Sequence, residues 1–264
     1  MITSLSNPTI KQIRALRQRK EREASGLFFA EGIRLVGEAA QLGAPIEQLI
    51  VAPELLNSSF AHELIAAQVG AGVGYLEVSA AVFTNLSAKD GPQGLGAVIR
   101  QRWQQLAELP TSDGLGYLAL NAVADPGNLG TIIRTADAAG MGGVILLGNS
   151  TDPYDPTALR ASMGALFAQP LVRASFEMLL AWAEQRGLPL IGTSDAAAQH
   201  FQDLAYPLTL ILLMGGEREG LSADQQASCA HIVSLPMRGR SDSLNLAVAT
   251  GIMLYELLRQ AANR

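Results

Sequence analysis

Tyr117-Leu118-Ala119-Leu120-Asn121-Ala122-Val123, running through Asp125-Pro126-Gly127-Asn128-Leu129-Gly130 into Ile132-Ile133-Arg134, is the stretch on which the fold turns. Its first part is apolar, of strand length, and lacks the polar alternation of a half-solvated strand. Its last part has helical period, with Leu129, Ile132, Ile133 and Ala136 on one stripe and Arg134 and Asp137 off it. A strand apolar on both faces must be covered on both, so this strand, turn and helix predict a largely parallel sheet with helices on either side.

Working outward, the same alternation predicts strands over 144–147, 190–193, 208–214 and 232–235, with helices between them and a closing helix over 244–261. Upstream lies a smaller α/β unit. Its strands are expected at 27–30, 46–51, 74–78 and 95–99, and its helices at 33–42, 58–69 and 80–86, all after one basic amphipathic helix with Ile10, Ile13 and Leu16 inward. The polar run 101–114 reads as a linker. The chain is therefore expected to comprise an N-terminal domain (1–100), a linker (101–114) and a C-terminal α/β domain (115–264).

Composition narrows the function. With 48% hydrophobic and 16% charged residues in 264, the chain is a globular protein with no disordered majority. No apolar run approaches the roughly 20 residues of a membrane span, and the opening residues lack a secretory pattern, so a cytoplasmic location is expected. Cys229 is the only cysteine, which excludes an internal disulfide and a multi-cysteine metal site and suits a small core residue. The net charge is −5, yet residues 1–34 hold seven basic residues (Lys11, Arg14, Arg17, Arg19, Lys20, Arg22 and Arg34) against three acidic ones. A basic arm on an acidic body suits a protein that meets a polyanion with one face; a solvated amphipathic helix fits that count equally well.

Ligands of open parallel sheets bind at the carboxyl ends of strands. Three loops there are unusual. The first, Asp125 to Gly130, joins a strand to a helix N-terminus; Asn128 suits either a helix cap or a catalytic role, and Arg134 either a solvated partner of Asp137 or a functional group. In the second, Gly215-Gly216-Glu217-Arg218-Glu219-Gly220, glycines permit close approach of backbone to a ligand or simply a turn. The third runs from Leu235-Pro236-Met237 to Ser243-Leu244-Asn245. There Asp242 or Ser243 can cap the closing helix, while Asn245, just inside it, needs a polar partner.

In order and spacing the three loops resemble the three motifs of the SpoU, or TrmH-like, branch of the SPOUT RNA methyltransferases. Residues 160–167 match a further segment of that branch. Residues 28–34 and 91–94 are similar to the ribosomal-protein-like RNA-binding domain fused to many members. The resemblance implies an α/β C-terminal domain with a deep trefoil knot, a homodimer, S-adenosylmethionine as cofactor, and 2′-O-ribose methylation of RNA, with rRNA favoured over tRNA. It implies cofactor contacts at Thr193, Met214, Gly215, Gly216, Leu235, Met237 and Leu244, and a catalytic set of Arg134, Asn128, Glu217, Ser243 and Asn245. In-line transfer from a sulfonium needs no metal. A guanidinium is a poor proton acceptor, so Arg134 is expected to grip phosphate and stabilise the developing alkoxide. Two rivals remain: a non-catalytic ribosome-assembly protein of the same shape, and a dinucleotide-dependent dehydrogenase. The dehydrogenase requires an acid ending the second strand, where Gly148-Asn149 stands.

Overall fold

The computed structural model describes residues 1–88, 90–110 and 114–263. It falls into two compact units, Met1–Arg102 with Tyr154–Phe167, and Trp103–Pro153 with Ala168–Arg264.

The first unit is a four-stranded sheet in the order β1-β4-β2-β3, formed by β1 (Leu27–Glu31), β2 (Ile46–Val51), β3 (Gly74–Glu77) and β4 (Leu95–Arg100). Strand β4 is antiparallel to both β1 and β2, and β2 is parallel to β3. Around it lie α1 (Pro8–Ala15), α2 (Arg19–Ser25), α3 (Ile33–Gln41), α4 (Ser59–Gly70) and α5 (Ala80–Leu86). Ile10, Ile13 and Leu16 are buried, as the helical stripe requires.

The basic arm is two helices instead of the single one expected, and Arg22 is the reason. Its guanidinium Nη1 donates to the carbonyls of Leu16 (2.9 Å) and Arg17 (2.8 Å), which lie in the break between α1 and α2. Carbonyls at a helix end need such a partner when buried. Arg22 is 1% exposed and also lies 3.5 Å from Asp155. The reading of Arg22 as part of a basic arm that meets a polyanion such as RNA is therefore corrected: this cation is spent inside the fold.

The boundary between units also differs from the sequence reading. After Pro153 the chain enters the first unit for 154–167, which includes α7 (Pro156–Ser162), and then returns. The Tyr154 ring packs 4.7 Å from Phe28, and its hydroxyl donates to the Arg102 carbonyl (2.6 Å). Gly164, at φ +99°, fits against α3 where a Cβ would lie 2.7 Å from Glu38 Cγ. Nor is 101–114 a free linker. Leu106 and Leu109 are buried with Tyr117 and Trp182 in the second unit's core, and Gln104 bridges Val172. Residues 111–113 of that expected linker lie outside the described residues.

The second unit carries seven parallel strands: β5 (Gly116–Asn121), β6 (Val144–Leu147), β7 (Leu171–Ala174), β8 (Leu190–Thr193), β9 (Gln199–His200), β10 (Leu210–Met214) and β11 (His231–Ser234). Their order is β7-β6-β5-β10-β8-β11-β9. Every residue of β6 and β10 is buried, as expected of strands covered on both faces. The covering helices are α6 (Pro126–Ala139), α8 (Phe176–Arg186), α9 (Ala223–Ala227) and α10 (Leu246–Ala262), with α10 packed on α6. Gly116 sets the central register. It has φ +95°, and a Cβ on it would lie 1.9 Å from the Leu210 carbonyl oxygen of β10.

Strand β10 is inserted between β5 and β8, two strands that precede it in the chain. From β5 the chain moves to β6 on one side; from β10 it moves through α9 to β11 on the other. Loops that diverge in this way from adjacent strands leave a crevice at their carboxyl ends. No helix among the described residues is long and apolar enough to cross a membrane.

Candidate active site

The crevice between β5 and β10 is bridged by polar side chains from all three unusual loops. Asp125 caps α6 by accepting from Asn128 N at 2.7 Å, which frees the Asn128 side chain from the capping role considered for it. Asn128 Nδ2 donates to Glu217 Oε1 at 2.6 Å, and Asn245 Nδ2 donates to Asn128 Oδ1 at 2.9 Å. Glu217 Oε2 also accepts from Ala124 N at 3.3 Å. Residues 117 positions apart in sequence thus form a three-membered relay. Its polarity is fixed, because the carboxylate only accepts and each amide must donate toward it.

Asn245 is the N-cap of α10, and this corrects its expected place inside the helix. Its Oδ1 accepts from Ala247 N (2.9 Å) and Val248 N (3.3 Å), leaving Nδ2 to reach Asn128. One side chain thus caps a helix and joins the first and third loops. Ser243 is exposed, makes no hydrogen bond among the described residues, and does not cap α10.

Arg134 is exposed and likewise makes no hydrogen bond or ion pair among the described residues, including with Asp137. It lies six residues after Asn128 on α6, or about 240° further round the helix axis. The structure therefore unites Asn128, Glu217 and Asn245 but leaves Arg134 and Ser243 outside that relay.

Of the expected cofactor contacts, Thr193 and Met214 end β8 and β10, Gly215 and Gly216 follow β10, Leu235 follows β11, and Met237 and Leu244 lie further along the segment between β11 and α10. Strand pairing sets Leu213 opposite Gly192 and Thr193 opposite Val233, and Thr193 Oγ1 lies 3.6 Å from Met214 Sδ. Leu235 follows β11 directly, and Leu235 and Met237 are half-buried while Leu244 is 38% exposed. The amides of Met237 and Leu244 have no partner among the described residues. Apolar side chains beside free main-chain donors fit an adenosine moiety, which offers ring faces and nitrogen acceptors.

Of the two roles open to the glycines, the turn is the one seen. A Cβ on Gly215 would lie 2.4 Å from the Gly220 carbonyl carbon, so Gly215 makes room for its own loop. Gly216 and Gly220 exchange two hydrogen bonds of 3.1 Å that close that loop and present Glu217 at its tip.

Sequence reading missed Asn121 and Gln225. Asn121 Nδ2 at the end of β5 donates to Gln225 Oε1 (3.3 Å), which also accepts from Ser222 N (2.9 Å). The signal was present as Ser222-x-x-Gln225, a capping box. Cys229 lies against the core with its thiol donating to Gln225 O (3.2 Å), and burial pushes its pKa up to about 11. Among the described residues, no group of three or more His, Cys, Asp or Glu side chains has the geometry of a metal site.

In the first unit, Lys11, Arg19, Lys20 and Arg34 are exposed. Arg19 pairs with Glu23 at 2.8 Å, while Arg14 donates to Asn85 Oδ1 (3.1 Å) and Arg17 to the Asn85 and Ser87 carbonyls (2.7 and 2.9 Å).

The fold, a parallel sheet with a late strand inserted beside its first, is that of solved RNA methyltransferases. The chain belongs to the SpoU rRNA Methylase family, whose profile matches residues 116–255; residues 7–97 match the MRM3-like substrate binding domain. It is similar over nearly its whole length to an rRNA methyltransferase from Sinorhizobium meliloti solved with bound AdoMet: 40% identity, TM-score 0.89, covering 98% of this chain and 97% of that one. The 23S rRNA (uridine(2479)-2′-O)-methyltransferase of Streptomyces viridochromogenes is 32% identical over 93% of this chain and 87% of its own. The 23S rRNA (guanosine(2553)-2′-O)-methyltransferase RlmP of Bacillus subtilis is 29% identical over 97% and 98%.

Proposed function

We propose that the chain transfers a methyl group from S-adenosylmethionine to a ribose 2′-hydroxyl of RNA, with rRNA of the 23S type as substrate, and that it works in the cytoplasm as a homodimer. The relay Asn128–Glu217–Asn245 carries the reading, because it ties the three family motifs into one site. S-adenosylmethionine supplies a methyl group on an electrophilic sulfonium.

The chain's own residues must position the ribose hydroxyl and manage its proton. Glu217 orients Asn128, and Asn128 orients Asn245, so three loops are locked in register around the crevice. Arg134, free of any partner here, grips a phosphate and stabilises the developing alkoxide. Ser243 lines the ribose. Thr193, Met214 to Gly216, Leu235, Met237 and Leu244 hold the cofactor, chiefly through main chain and apolar contact. Val248, Ile252 and Tyr255 are 51, 37 and 54% exposed and recur at helical spacing on α10, an apolar face that supports the dimer. Insertion of β10 between β5 and β8 supports the trefoil knot.

The test is incubation with labelled S-adenosylmethionine and unmodified ribosomal RNA, followed by mapping of the labelled nucleotide. Label at a ribose 2′-oxygen in rRNA is the expected result. Label in tRNA alone would move the substrate, and RNA binding without transfer would favour the assembly-factor reading.

A further inference from the structure

The first unit contains an open groove of about 770 Å3 to which none of the three motifs contributes. Its walls come from one end of the four-stranded sheet, where β1 and β2 finish and β4 begins. Helix α3 starts where β1 ends, the segment leading to Phe60 follows β2, and the turn at 92–93 leads into β4, which runs antiparallel to both.

Phe60 stands in this groove 46% exposed, although it is large and apolar. Gly37 of α3 faces it; a Cβ there would meet the ring at 3.3 Å, so the ring occupies space that any side chain at 37 would contest. Arg34, one turn earlier on α3, has no hydrogen bond or ion pair among the described residues, and neither has the carboxylate of Glu38. Gln93 accepts from Ile33 N at 3.3 Å through Oε1, which leaves its Nε2 donors free.

Arg14 and Arg17 do not line this groove and have partners of their own. Arg17 holds the Asn85 and Ser87 carbonyls and Arg14 holds the Asn85 side chain. Glu31, two residues before α3 begins, in turn accepts from Ala88 N at 3.0 Å. The lining therefore combines an aromatic face, a free guanidinium, an amide donor and a free carboxylate. A wholly apolar ligand would bury Arg34 and Glu38 without partners. A duplex would keep its bases stacked away from Phe60.

We propose that this groove holds one unpaired nucleotide of the RNA substrate, distinct from the one methylated. Its base lies against Phe60, its phosphate meets Arg34, and an exocyclic amino group on the base donates to Glu38. The proposal rests on RNA being the substrate.

The experiment measures anisotropy of a fluorescein-labelled nine-nucleotide oligocytidylate with the full chain. Phe60→Ala is expected to weaken binding about tenfold and Phe60→Trp to retain it. Arg34→Gln is expected to lower the slope of log affinity against log salt by about 0.7. Glu38→Gln is expected to abolish the preference for oligocytidylate over oligouridylate. Phe60→Ala binding within twofold of the parent, or a duplex of equal length bound as tightly as the single strand, overturns the proposal.

Photocrosslinking of the parent protein to a 5-iodocytidine nonamer needs no variant. An adduct on the peptide carrying Phe60 supports the groove, and adducts only elsewhere refute it. Methyl transfer by the parent enzyme is scored separately. No transfer with Phe60-dependent binding would retract the methylation reading alone; transfer with Phe60-independent binding would retract the groove alone.

Discussion

Replacing Asn128 by alanine separates the relay's mechanical role from its chemical one. The substitution deletes a hydrogen bond to the Glu217 carboxylate at 2.6 Å and one from Asn245 at 2.9 Å. Net of exchange with water, such bonds contribute about 1.5–3 and about 0.5–1.5 kcal/mol where they are buried. Glu217 and Asn245 are exposed and Asn128 is half-buried, so water replaces most of what is lost. The stability change should be near 1 kcal/mol, about 2–4 °C in Tm for a chain of this size. The kinetic loss should be much larger, since a misplacement of about 1 Å near a reacting centre costs about 100-fold. The assay pairs thermal unfolding and calorimetric titration with S-adenosylmethionine against single-turnover methyl transfer. Asn128→Ala should melt within about 4 °C of the parent, bind the cofactor within about threefold, and lose about 100-fold in rate. Because the three side chains act as one unit, adding Glu217→Ala should cost little more. A parental rate in Asn128→Ala, or fully additive losses in the double variant, would show that the relay has no part in the chemistry.

Arg134→Ala should abolish transfer with cofactor affinity nearly unchanged, and full activity would remove Arg134 from the mechanism. Arg22→Ala should lower stability by about 3 kcal/mol in denaturant titration, because Asp155 and two carbonyls lose a buried partner; Arg19→Ala, whose pair is exposed, should change it by less than about 1 kcal/mol. Cys229, with its thiol at about 11, should react with iodoacetamide at pH 8 at least about tenfold more slowly than in urea. The sign follows from the raised folded pKa: the native state holds this proton more tightly, so its contribution to stability is complete below the unfolded thiol pKa and fades as pH rises toward about 11.

Most of the fold was legible because its strands are apolar on both faces and its helices carry stripes. Val144–Leu147 and Leu190–Thr193 match expectation at both ends. Strands β7 and β9 were not legible. Leu171–Ala174 is four residues with an exposed Arg173, and Gln199–His200 is a polar pair, so neither carries a period. Both flank the sheet, where register comes from a neighbouring strand and not from a buried face. The excursion of 154–167 was equally hidden, because what holds it is a Tyr154 ring on Phe28 and an ion pair to Arg22, contacts that no local pattern encodes.

The site shows the same division between what composition states and what placement decides. The family resemblance pointed to Asn128, Glu217 and Asn245, yet it could not say that Asp125 would take the cap of α6 and that Asn245 would take the cap of α10. Those two assignments leave Asn128 with both amide ends free and Asn245 with its donor free. Had Asn128 been the cap, its oxygen would have been committed to the backbone and the relay broken. The basic arm follows the same logic. Seven cations were counted in residues 1–34, but Arg22 is 1% exposed and Arg17 is bound to two carbonyls. What a polyanion meets is set by which guanidinium groups the fold has left without partners, and Arg34 beside Phe60 is one of them.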